Sequence, residues 1–264
     1  MSEQEYFETN RQLWNQKTPI HIDSDFYDIK GFLAGDTSLK PIEIEMLGDI
    51  KGKTILHLQC HFGQDSLSLA RMGAKVTGLD ISDTAIEEAK KLNEQLGLDA
   101  QFVCCDVYSA KDFISEKFDI VFTTYGIIGW LPDMTRWADI ISHFIKPNGQ
   151  FVFVELHPVV WMYNEHFSAV EFPYFNESPI IETLPGTYAK QDTSIAMEEV
   201  GWNHPLSEVF SALIKTGLKI DHFKEYNYSS HKCFKGMIEQ APGEFIIAHI
   251  GNKIPMTYSL AMSF

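Results

Sequence analysis

The residues best suited to chemistry sit at the ends of short apolar runs. Gln59, Cys60, His61 and Gly63 follow the run Thr54–Leu58, and Asp80 closes the run Lys75–Leu79, with Ile81 after it. Asp106, with Val107 behind it, closes a third run, Gln101–Cys105, and Thr124 and Tyr125 follow a fourth, Phe118–Thr123. A turn directly after a strand offers free backbone N–H groups, and a carboxylate at the end of the next strand can accept hydrogen bonds from paired ribose hydroxyls. Together these residues describe one edge of a sheet built to hold an adenosine-bearing ligand.

The elements that position them read as alternating strands and helices. A helix is expected over Gln64–Met72. A second begins at Ser82, a good N-cap, has Asp83 and Glu87 near its positive end, and runs to about Leu96, where Gly97 closes it. Short helical segments fit Ala110–Glu116 and Met134–Ile145, the latter stopped by Lys146-Pro147-Asn148-Gly149, and a buried strand follows over Gln150–Leu156. The pattern resumes with a helix at Leu206–Thr216, capped by Gly217, and a strand at Leu218–Tyr226. Five strands separated by helices imply an α/β protein with a doubly wound, mostly parallel sheet. The closing run PMTYSLAMSF has no helix before it, so it is expected to pair antiparallel with its predecessor.

Two stretches fall outside this alternation. Residues 1–50 read as an N-terminal cap: a helix over Glu3–Gln16, an irregular aromatic run from Pro19 to Phe32, and a further helix over Pro41–Leu47. Trp14 and Tyr27 are the cap residues placed to close over a ligand. Residues 159–203 are rich in aromatics and prolines with little periodicity, and a long loop of that kind is usually functional. The net charge of −15 and the lack of a basic run argue against a nucleic-acid partner. No apolar run reaches membrane-spanning length, the start is not a signal peptide, and the four cysteines show neither zinc spacing nor a disulfide framework, so a cytoplasmic setting is expected.

Taken together, ILHLQCHFGQ, Asp80, the CDV at Asp106, FDIVFTTYG and KPNGQFVFVE resemble the class I S-adenosylmethionine-dependent methyltransferases, from Lys53 to the C-terminus. LHLQCHFGQDSLSLARMGAKVTGLDIS, GWLPDMTRWA and NRQLWNQK further resemble an uncharacterised bacterial subgroup of them. The resemblance implies a seven-stranded Rossmann-like sheet with the last strand antiparallel and inserted between two others, and a single methyltransferase domain over 1–264. It implies S-adenosylmethionine as cofactor: Asp80 on the ribose hydroxyls, Asp106 and Val107 on the adenine, Leu58, Gln59, Cys60, Gly63 and Gln64 along the methionine moiety, and Thr124 and Tyr125 beside the methyl. The family turn reads acid-x-Gly-x-Gly-x-Gly, whereas this chain has His57-Leu58-Gln59-Cys60-His61-Phe62-Gly63 and keeps only the last glycine. That departure also separates two cofactors. A nicotinamide dinucleotide needs close backbone approach to a pyrophosphate through G-x-G-x-x-G, which is missing; S-adenosylmethionine carries no phosphate.

Methyl transfer from a sulfonium asks mainly for an acceptor held in line in a dry site, and a general base depends on the acceptor. Glu155, His157, His21, His61 and His204 are the candidate bases. Trp130, His157 and Tyr188 are expected in the acceptor pocket, with Trp161, Tyr163 and Trp202 as further aromatics that packing explains equally well. Cys60, Cys104 and Cys105 lack the surroundings of an activated thiolate. No metal-binding set stands out. The expected function is methyl transfer to a small-molecule acceptor. A protein or nucleic-acid methyltransferase and a non-catalytic S-adenosylmethionine-binding module are the alternatives.

Overall fold

A computed structural model describes residues 2–190 and 196–264. The chain runs α1 (Glu3–Ile22), α2 (Ile29–Ala34), α3 (Pro41–Leu47), β1 (Thr54–Leu58), α4 (Gln64–Arg71), β2 (Lys75–Asp80), α5 (Asp83–Leu96), β3 (Gln101–Cys104), α6 (Ala110–Phe113), β4 (Phe118–Thr124), α7 (Met134–Phe144) and β5 (Ile145–Leu156). It continues through β6 (Ile180–Pro185), β7 (Ala196–Gly201), α8 (Leu206–Lys215), β8 (Lys219–Tyr226), β9 (Met237–Ala241), β10 (Glu244–Ile247) and β11 (Thr257–Ser263).

Seven strands form one sheet in the order β3-β2-β1-β4-β5-β11-β8. Strands β1 to β5 pair in parallel, and β11 lies antiparallel between β5 and β8. This is the expected seven-stranded topology. Alternation along the strands splits the core in two: Leu56 and Val121 face one layer with Trp137, Phe151 and Phe153, while Ile55, Ile120 and Phe122 face the other with Phe62 and Leu67. A parallel sheet covered on both faces leaves only its strand ends for chemistry. The register Leu58↔Leu79 and Asp80↔Cys104 brings the ends of β1, β2 and β3 side by side.

Three local expectations change. Helix α1 does not stop near Gln16 but runs on to Ile22 with Pro19 inside it. Proline removes one N–H bond. Buried Thr18 and His21 anchor the extra turn, Thr18 Oγ1 donating to the Trp14 carbonyl at 2.7 Å. The segment around Asp106 is tighter than a plain helix: Val107–Ser109 forms a 3₁₀ turn, and α6 ends at Phe113. In the 159–203 stretch, β6 and β7 form an antiparallel pair; residues 191–195 lie outside the described residues. That pair docks on α1, where the Asn10 amide bonds both the carbonyl (2.8 Å) and the N–H (3.1 Å) of Val200.

Candidate active site

The turn after β1 is built against its own stereochemistry. Gln59 and His61 hold φ values of +54° and +52°, and Gly63 one of +80°. The left-handed region costs a side-chain-bearing residue about 1–2 kcal/mol. Both side chains are put to use. Gln59 Nε2 donates to the Ile127 carbonyl at 3.0 Å, tying the turn to the loop after β4. His61 Nδ1 accepts the Phe62 N–H at 2.7 Å, which leaves the ring proton on Nε2, 3.0 Å from His21 Nδ1 on α1. At Gly63 no side chain fits, because a Cβ there would sit 2.7 Å from the Phe102 ring.

Asp80 ends β2 beneath this turn. The residue is 9 % exposed, and its carboxylate accepts the His61 N–H (2.8 Å) and the Ser82 N–H (2.9 Å). Burial outweighs those bonds and raises its pKa to about 6. Asp106 caps the next turn by accepting the Ser109 N–H at 3.0 Å. The first turn of α4 adds Asp65, 3.4 Å from Thr124 Oγ1. Gln64 Nε2 donates to the Tyr27 carbonyl at 2.8 Å, which draws the cap onto the turn.

These groups open on one cavity of about 1070 Å³. Trp14, Tyr27, Gln59, Cys60, Gly63, Gln64, Asp80, Ile81, Asp106, Val107, Thr124, Tyr125, Trp130 and Tyr188 all line it, as do Trp161, Tyr163 and Trp202. The Tyr27 and Tyr188 hydroxyls hydrogen-bond to each other, joining the cap to the 159–203 stretch. Trp14 stands edge-on to His61 (5.1 Å between centroids) and Trp130 (5.3 Å). Lys17 lies 5.4 Å from each indole centroid and pairs with Glu199 of β7 at 3.0 Å.

Several expected residues stand elsewhere. Leu58 is fully buried in the core, because strand alternation points it under the sheet, and its carbonyl accepts the Thr123 hydroxyl at 3.0 Å. His157 is outside the cavity: its Nε2 meets Glu225 at 3.0 Å, and its Nδ1 accepts the Val159 N–H at 3.2 Å. His204 is committed to the Leu131 carbonyl (2.8 Å) and Glu208 (3.0 Å). Glu155 faces the loop after β4, accepting the N–H groups of Gly126, Ile127 (2.8 Å), Ile128 (3.3 Å) and Leu156 (2.6 Å). It is an anchor for that loop. His21 and His61 bond each other, and burial lowers the pKa of both, His21 to about 3.

Other cavity residues were missed from sequence: Asp65, Lys17, Glu199 and His231. Only Asp65 had a signal, as an acid in the first turn of the helix after the turn. The other three reach the cavity through long-range packing that local pattern does not show. Among the described residues no set of three metal-ligating side chains converges.

Residues 55–149 match the family model described as "Methyltransferase domain". The chain is 32 % identical over 158 residues to a ubiquinone biosynthesis O-methyltransferase of Coxiella burnetii, covering 59 % of this chain and 62 % of that relative, so it spans less than two thirds of the relative's length. It is 24 % identical over 227 residues to the protein of the same name from Serratia proteamaculans, covering 81 % of this chain and 91 % of that one. Among solved structures, a putative S-adenosylmethionine-dependent methyltransferase from Listeria monocytogenes superposes with a TM-score of 0.59 at 20 % identity, covering 83 % and 92 % of the two chains. An S-adenosylmethionine-dependent methyltransferase from Mesorhizobium loti does so with 0.57 at 18 %, covering 87 % and 99 %. At that identity the structures establish the fold. Residues 55–149 thus match a methyltransferase domain, and the whole fold is the one these S-adenosylmethionine-dependent methyltransferase structures share.

Proposed function

We propose that this protein transfers the methyl group of S-adenosylmethionine to a small-molecule acceptor. The observation that carries this is the cavity: at about 1070 Å³ it reaches the top of the range for a single drug-sized ligand, which leaves space for a cofactor and an acceptor side by side. The wall fits the cofactor. Gln59 Oε1 is buried without a partner among the described residues, an acceptor atom waiting for a donor. Asp80 would take the ribose hydroxyls, Asp106 and Val107 the adenine, and the turn residues the methionine moiety. Bound there, S-adenosylmethionine would supply an electrophilic methyl group with a thioether as its leaving group. Thr124 and Tyr125, on a loop fixed by Glu155, would orient the acceptor toward it, while Trp14, Tyr27 and Trp130 exclude water. The O-methyltransferase names of the relatives favour an oxygen acceptor.

Calorimetry with S-adenosylmethionine and S-adenosylhomocysteine tests the reading. Micromolar binding of both is expected. Failure of both to bind at millimolar concentration refutes it, and binding with no methylated product from any acceptor in a metabolite mixture leaves a binding module instead.

A further inference from the structure

The cavity's wall contains a histidine with nothing to do. Of the ten histidines, eight have a ring nitrogen bonded within the protein, and His143 stands exposed on α7. His231 is the tenth. Among the described residues neither of its ring nitrogens has a hydrogen-bond partner, although Nδ1 is buried and the ring lines the cavity. The ring is also held in place. It meets Tyr125 edge-on at 4.6 Å between centroids and stacks near Phe26 at 5.8 Å, 26° between planes. Ser229 fixes its backbone from both sides, accepting the His231 N–H (3.1 Å) and donating to its carbonyl (2.9 Å). A buried polar atom left unpaired on a positioned ring at a ligand wall calls for a partner that the ligand brings.

We propose that His231 is the general base of this site and that the acceptor is a phenol, whose hydroxyl proton passes to the free imidazole nitrogen as the oxygen is methylated. The inference rests on the methyltransferase reading above. The balance is simple: the O–CH₃ bond forms as the S–CH₃ bond breaks, the bonding pair stays on sulfur as a thioether, and the O–H proton moves to His231 before release to water when the site opens.

Two considerations select the phenol. A phenolic proton, with pKa about 10, is far easier for a neutral imidazole to take than one as weakly acidic as that of water, near 15.7. The walls are flat rings as well: Phe26, Tyr27, Tyr125, Trp130 and Tyr188 suit an aromatic acceptor. Burial, with the Lys40 charge nearby, holds the His231 pKa down at about 3, so the ring is neutral and free to accept. In so dry a site, attraction between the phenolate and the imidazolium offsets the desolvation that keeps the free ring neutral.

The test uses the S-adenosylhomocysteine-loaded protein and nitrocatechol, whose absorbance reports ionisation, at a pH where the free compound stays protonated. The expected result is a phenolate band on binding to the wild type. His231→Ala should bind the probe without that band and keep its S-adenosylhomocysteine affinity within threefold. With S-adenosylmethionine and catechol, His231→Ala should lose about 100-fold or more in kcat with KM changed less than threefold, and added imidazole should restore part of the rate. His231→Gln, closer in size, repeats the measurement if the alanine variant folds poorly. A bound probe that stays protonated, or the same band in the variant, overturns the base. A probe that does not bind overturns the phenol while the cofactor still binds. Loss of cofactor binding in the wild type instead removes the methyltransferase reading itself.

Discussion

Asp80→Asn should make the ligand-free protein more stable and its cofactor complex weaker. The carboxyl is buried, and its pKa stands at about 6 against an ordinary 3.8. For an acid raised in this way, the unfolded chain ionises first. Stability is therefore lost as pH rises from about 3.8 to about 6, and at neutral pH the folded protein carries a charge that burial disfavours by about 3 kcal/mol, roughly two units at about 1.4 kcal/mol each. The amide removes that charge. It keeps one acceptor for the N–H groups of His61 and Ser82 but turns its NH₂ toward the other, a loss of about 1–3 kcal/mol. The net gain is at most about 2 kcal/mol, up to roughly 6 °C in melting temperature for a chain of this size. The same change would remove the charge-assisted bonds proposed to the ribose and should weaken S-adenosylmethionine binding about tenfold or more. In the wild type, affinity should fall about tenfold per pH unit below about 6, because the carboxyl must then give up a proton to bind. Thermal melts at neutral pH and calorimetry across the acid range measure all three quantities. A variant that melts lower than the wild type at neutral pH and binds the cofactor within twofold would refute the reasoning.

Gly63→Ala places a methyl group 2.7 Å from the Phe102 ring and 3.0 Å from Ala89 Cβ on a backbone at φ +80°. The left-handed cost of about 1 kcal/mol and overpacking of about 1–3 kcal/mol predict a loss of about 2–4 kcal/mol by urea unfolding, and a loss under 0.5 kcal/mol would mean that α5 and β3 yield easily. Glu155→Gln relieves a carboxylate whose pKa burial also raises, but turns an NH₂ toward some of the four N–H groups it holds, three from the loop after β4 and one from Leu156 in β5, at about 1–3 kcal/mol for each group left unpaired. Unfolding should show that loss and calorimetry a weaker cofactor complex; unchanged values in both would show that the loop holds its shape by packing alone.

Sequence pattern reports well what each segment decides for itself. The ends of β1, β2 and β4, the cap at Ser82 and the acid at Asp80 follow from apolar runs and their punctuation, and the strand order agrees with the resemblance. It fails where distant parts of the chain decide. Pro19 reads as a helix stop, but His21, bonded 40 residues away to His61, lies in a turn that continues past it. His157 sits at the carboxyl end of a strand, the right address for a base, yet Glu225 on β8 takes its Nε2. His231 lies in an irregular stretch with no periodicity and reaches the cavity only because the chain between β8 and β9 folds against Tyr125 and Phe26. Glu155 has the chemistry of a base, and only the structure shows that backbone N–H groups take up its carboxylate.

The turn after β1 shows why a side chain can be worth more than glycine in a left-handed position. A glycine turn would leave its backbone free to approach a ligand but would make no contact of its own. Here Gln59 and His61 each accept about 1–2 kcal/mol of backbone strain. In exchange, Gln59 reaches the loop after β4 and His61 reaches α1, so that loop and the cap over the cavity are both braced by the turn itself. Trp14 packs on His61 and Tyr27 is held by Gln64, so the same cap carries the aromatic cover. Strain at a site persists only where its surroundings over-determine it. In this protein the surroundings are the N-terminal cap and the loop after β4, which makes turn, cap and cavity wall one mechanical unit.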